Sequence, residues 1–132
     1  MKEKRNVQKL YEQMSILTAP SEKLILGLLN GALAALDEAK TAIARKEWAL
    51  QNESLQKAQD CLLQLIMFFN TAEEEGRRLI ALYDFLNRKL IRANMDNDSQ
   101  LLEEVAVFLH RQKEDWQTAL NNRRKRYTGN QA

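Results

Sequence analysis

Four separate stretches of this chain repeat apolar residues at steps of three and four, the spacing that lines them up on one side of an α-helix. The first runs through Leu24, Leu28, Ala32, Ala35, Ala39 and Ile43, widened by Ile25, Leu29 and Leu36. The second, Leu55, Ala58, Leu62, Leu65 and Phe69, is a heptad seam. The third carries Leu79, Leu82, Tyr83, Leu86, Leu90 and Ala93, and the fourth Leu102, Val105, Leu109, Trp116 and Leu120. No helix can bury such a stripe alone, but four packed together make one core. Short polar connections around Arg45-Lys46, Asn70-Thr71 and Asp96-Asn97-Asp98-Ser99 make successive helices antiparallel neighbours. The pattern therefore predicts an all-α fold: an antiparallel, up-down-up-down four-helix bundle over residues 20–121. A short N-terminal cap or lid segment, residues 1–19, precedes it, and a basic, flexible tail, residues 122–132, follows. With 132 residues there is room for one core. Four Gly and one Pro are too few for the turns of a small all-β or α/β domain.

Local signals set expectations for the helix ends. Pro20 biases the residue before it away from the helical region, so Ala19 should be extended, with Thr18 or Ser21 capping the first helix. Gly27 and Gly31 cost roughly 1 kcal/mol each inside that helix, and close approach of a neighbour would explain them. Thr71 and Glu74 have capping-box spacing. Asn94 is placed to end the third helix in a left-handed conformation, and the turn at Asp96-Asn97-Asp98-Ser99 to cap the fourth.

Catalytic chemistry is missing from the pattern. His110 is the sole histidine, which argues against a dyad and against the paired Glu-x-x-His motifs of a di-metal bundle. Asp96-Asn97-Asp98 lacks the later Gly and Glu of a calcium loop. No Gly-rich phosphate loop is present. Cys61 alone makes neither a disulfide nor a multi-cysteine metal site, and reads as a small core or boundary residue. The expectation is a non-enzyme without cofactor or metal. No apolar run approaches about 18 residues and the first residues lack a signal-like stretch, so a cytosolic protein without membrane insertion is expected.

The formal net charge of +2 is unevenly spread. Residues 1–9 net +3 and Arg123-Arg124-Lys125-Arg126 add +4, which leaves −5 for the remainder. The basic run reads as a solvated tail or as a contact for a polyanion, and the acidic remainder opposes an extensive nucleic-acid surface.

Several motifs, in order and with near-constant gaps, resemble the flagellar export chaperone family, FliS. They are Tyr11-Glu12-Gln13-Met14-Ser15-Ile16-Leu17-Thr18-Ala19, Leu29-Asn30-Gly31-Ala32, Lys57-Ala58-Gln59-Asp60, and Leu82-Tyr83-Asp84-Phe85 followed by Arg88-Lys89-Leu90-Ile91-Arg92-Ala93-Asn94. Glu103-Glu104-Val105 and Asp115-Trp116 complete the set. The resemblance implies a cytosolic chaperone that binds the C-terminal segment of flagellin, prevents premature polymerisation and aids delivery to the flagellar type III export gate. It implies that Tyr11, Met14, Ile16 and Leu17 fold over the bundle as a lid, and that Asn30, Tyr83, Asp84 and Arg88 belong to the client site. By its own position on the helical stripe Tyr83 reads as core more than as client-facing. A helical scaffold or regulatory homodimer, and a weak nucleic-acid-binding bundle led by the basic tail, remain as alternatives.

Overall fold

A computed structural model describes the backbone of residues 2–129 and the side chains of residues 22–122 and 124. Four helices follow one another: α1 (Lys2–Ala44), α2 (Trp48–Met67), α3 (Glu74–Asp96) and α4 (Ser99–Gly129). α1 packs on α2 and α4, and α3 packs on the same two, so α1 and α3 face each other across one diagonal and α2 and α4 across the other. This is the expected four-helix bundle, and the described residues contain no strand.

The core follows the predicted stripes with instructive shifts. Leu55, Ala58, Leu62 and Leu65 of α2 are fully buried against Tyr83, Leu86, Leu90 and Ala93 of α3 and Leu102, Val105 and Leu109 of α4. On α1 the buried line is Ile25, Leu29, Ala32, Ala35, Leu36 and Ala39, with Leu28 and Ile43 partly buried against it, while Leu24 is exposed. The expected stripe and the residues that widen it thus reach the core together, except at Leu24. Phe69, expected at the end of the second helix, lies beyond Met67 in the α2–α3 loop yet still packs on the core.

Both tight turns of the bundle use left-handed residues. Lys46 has φ 57°. The Lys46 N–H donates to the Ile43 carbonyl (3.1 Å) and the Glu47 N–H to Ala42 (2.8 Å), the paired bonds of a Schellman motif. At the other turn it is Asn97, not Asn94, that takes the left-handed conformation, with φ 53°. Asn94 stays helical because its side chain is used elsewhere. It accepts from Gln51 Nε2 (3.0 Å) and donates to Asn52 Oδ1 (3.0 Å), while Gln51 also donates to Asn97 Oδ1 (2.9 Å). This network ties the start of α2 to the end of α3. Asp98 Oδ1 then accepts from the N–H groups of Gln100 and Leu101, so the expected cap of α4 is present.

Three other end signals resolve differently. α1 begins at Lys2 and runs through Pro20, so Ala19 is helical; the pre-proline bias is a preference, and helices containing proline are its known exception. The Thr71 capping box does not form. Glu73 stands at the N-cap without a side-chain bond, and Asn70 Oδ1 accepts the Ala72 N–H instead (2.9 Å). Gly76 permits this fold-back, because a Cβ there would lie 2.1 Å from the Asn70 carbonyl oxygen. α4 continues through the basic run to Gly129. Arg and Lys are good helix formers and favour a helix C-terminus electrostatically.

The two α1 glycines separate. Gly31 faces Cys61 Sγ, 3.3 Å from where its Cβ would be, which is the close approach expected. Gly27 meets nothing within 4 Å. Gly27→Ala should therefore raise stability by about 0.5–1 kcal/mol, read as a higher urea midpoint.

Candidate functional site

A partly buried aromatic cluster sits near the α2–α3 loop. Phe69 stacks on Tyr83 (centroids 5.7 Å apart, planes 5° apart) and on Trp116 (5.9 Å, 26°). The Tyr83 hydroxyl donates to Gln112 Oε1 at 2.7 Å. Burial pushes that hydroxyl up to about 12; a hydrogen bond with Trp116 pulls it down in part, and the Asp115 charge pushes it up. Tyr83 is therefore a core residue, fully buried, and reaches no partner unless the bundle opens.

The other candidate residues are not gathered in one place. Asn30 is exposed on α1. Asp84 and Arg88 pair with each other along α3 at 2.9 Å, with Arg88 largely in water. α1 and α3 are diagonal, so the two sets face different sides of the bundle. Tyr11, Met14, Ile16 and Leu17 fall on the first half of α1, and their side chains lie outside the described residues.

What the structure does gather is exposed apolar surface. Nine large apolar side chains among the described residues stand in water: Leu24, Trp48, Leu63, Met67, Phe85, Ile91, Met95, Val107 and Phe108. Two of them share a seam. Lys89 of α3 pairs with Glu104 of α4 at 3.6 Å. The Lys89 ammonium sits 4.9 Å over the Phe85 ring, and Arg111 lies 6.0 Å from the Phe108 ring. Phe85 is one turn before Lys89, and Phe108 one turn after Glu104. In antiparallel helices both rings therefore line the outer α3–α4 groove at the same height. A second groove, of about 390 Å³ and open to water, runs between α1 and α2. Its wall is made of small and polar residues, including Gly31, Ala34, Lys57 and Asp60. Cys61 lies in it, its thiol pushed up first by burial and then by the Asp60 charge.

The exposed residues carried a sequence signal that the stripes obscured. Phe85 and Ile91 fall off the α3 stripe, and Val107 and Phe108 off the α4 stripe. A large apolar residue off its own seam has no helix of its own bundle to cover it.

Among the described residues no three His, Cys, Asp or Glu side chains gather as they would around a metal ion. His110 is exposed. No helix is long and apolar enough to cross a membrane, among the described residues.

Comparison with known proteins gives the same direction throughout. The model of the family described as "Flagellar protein FliS" matches residues 3–123. A flagellar secretion chaperone FliS of Bacillus subtilis is 33% identical over 121 residues, covering 92% of this chain and 91% of that protein. The FliS of Salmonella typhimurium is 31% identical over 115 residues, covering 82% and 85%. That of Escherichia coli is 27% identical over 111 residues, covering 82% of each.

Proposed function

Because this chain belongs to the FliS family of flagellar secretion chaperones, we propose that it binds the C-terminal helical segment of flagellin in apolar grooves on the outside of its bundle. The observation that carries this reading is the apolar surface left in water, above all the Phe85–Phe108 seam. A flagellin end segment carries an amphipathic stripe meant for a filament core. Unprotected, such stripes associate wrongly. An amphipathic helix laid in a groove covers them, with aromatic anchors supplying most of the affinity. The client orders as it binds, and only a large apolar contact offsets that loss of chain entropy.

In this account the chaperone works in the cytosol, keeps flagellin from polymerising early and presents it to the export gate. Residues Tyr11, Met14, Ile16 and Leu17 act as a lid that yields to client, while Asn30 and the Asp84–Arg88 pair flank the bound segment. The test is capture of flagellin at moderate salt, with a C-terminal flagellin fragment of about 40 residues, the length of two bundle helices, as competitor. Competed capture is expected. Failure to capture any flagellin, with self-association through the apolar face instead, would leave the scaffold dimer as the better reading.

A further inference from the structure

The α3–α4 seam carries positive charge that its own helices do not balance. On α3, Phe85, Lys89 and Arg92 follow one another at steps of four and three. On α4, Glu104, Phe108 and Arg111 do the same. Each trio therefore lies along one line of its helix, and the Lys89–Glu104 pair brings the two lines together. Measured from the two rings, Arg111 stands about 5 Å along the groove in one direction and Arg92 about 10 Å in the other. They rise from opposite walls. Lys89 has a carboxylate of its own in Glu104. Arg92 and Arg111 are exposed and form no ion pair among the described residues. Asp96 and Asp115, one turn further out on the same helices, pair with neither. Arg111 leans on the Phe108 ring instead, a weak contact at an exposed site.

A helix that covers the two rings also covers the cations beside them. A charge taken out of water without a partner is costly, and a carboxylate with good geometry offsets much of that cost. The arginine fork matches a carboxylate with two parallel bonds. The seam thus discriminates by what a wrong partner leaves unpaired, as well as by what the right one contacts. We infer that the seam takes an amphipathic helix whose apolar stripe is bordered by carboxylates, one near each end of a stretch of about three turns and on opposite edges, and that Arg92 and Arg111 set this preference. The inference rests on the seam being a client groove, as proposed above, and names the client's chemistry: aspartate or glutamate beside the stripe, in place of lysine or arginine. Anchoring and selection are then separate tasks, with the rings holding the helix and the arginines choosing it.

The experiment is calorimetric titration of the full chain with two synthetic helices of about 18 residues, five turns long. Both carry the same leucine stripe and are otherwise glutamine, except that one has glutamate at the borders of the stripe and the other lysine. At about 0.05 M salt the glutamate helix is expected to bind at least about tenfold more tightly, and the gap should narrow at about 0.5 M, where screening is stronger. The variant with Arg92→Gln and Arg111→Gln should lose that preference with its far-ultraviolet circular dichroism unchanged. The variant with Lys23→Gln and Arg45→Gln removes two exposed cations outside the seam and should keep it. Phe85→Ser combined with Phe108→Ser should abolish binding of both helices. A C-terminal flagellin fragment titrated alongside tests the client reading separately. If the fragment fails to bind while the glutamate helix still needs both arginines, flagellin is lost as the client and the chemistry of the seam stands. The inference itself is overturned if the two synthetic helices bind alike, if neither binds, if the arginine variant keeps the preference, if the Lys23 and Arg45 variant loses it equally, or if binding survives loss of both rings.

Discussion

Replacing Tyr83 with alanine is expected to cost about 3–5 kcal/mol of stability, enough to threaten folding of a domain this size. Tyr83 is fully buried and stacked on Phe69, which is itself stacked on Trp116. Its loss opens a cavity in the core that the surrounding side chains fill only in part. Tyr83→Phe keeps the ring and removes the hydroxyl with its bonds to Gln112 and Trp116, and should cost about 1 kcal/mol. The pair also makes a pH signature. The folded hydroxyl sits at about 12, above the ordinary value of about 10. Below pH 10 both states keep the proton and nothing is lost. As pH rises from about 10 to about 12 the unfolded chain ionises first, so stability falls by about 2–3 kcal/mol. Urea midpoints across that window should drop more steeply for the parent chain than for Tyr83→Phe. Equal slopes would mean that the hydroxyl is not held in the core.

The largest functional effect is expected at the α3–α4 seam. Phe85→Ser and Phe108→Ser should each weaken flagellin binding about thirtyfold, the effect of removing an aromatic anchor worth about 2 kcal/mol, and the double variant more. Stability should fall by less than about 1 kcal/mol for each, because both rings are already partly in water and lose mainly their cation contacts with Lys89 and Arg111. Binding lost in proportion to stability would mark the rings as fold determinants. Binding retained by the double variant would move the client to another face.

The two substitutions divide a motif that reads as one in the sequence. Tyr83, Asp84 and Phe85 are successive, and helical geometry sends the first into the core and the third into water. The heptad seam of α2 was legible because a single stripe existed there. α1 was legible as a wide stripe, and only Leu24 at its start stands outside the core. Phe69 kept the α2 spacing although the helix ends at Met67, because a loop residue can fill the same core position. The Gln51, Asn94 and Asn97 network was not legible, as it joins side chains 43 and 46 positions apart through the antiparallel register of α2 and α3. The Phe85–Phe108 seam was not legible for the same reason. Phe85 and Phe108 are each identifiable as off-stripe residues, but their shared height depends on how α3 and α4 are staggered.

Surface docking and an opened core make opposite demands on the buried layers. Backbone hydrogen exchange with and without a C-terminal flagellin fragment separates them. Docking in the outer grooves predicts new protection on α3 and α4 around Phe85 and Phe108, with Leu62, Leu86 and Leu90 exchanging as slowly as before. Loss of protection at those three core positions on binding, or no change at the seam, would contradict it.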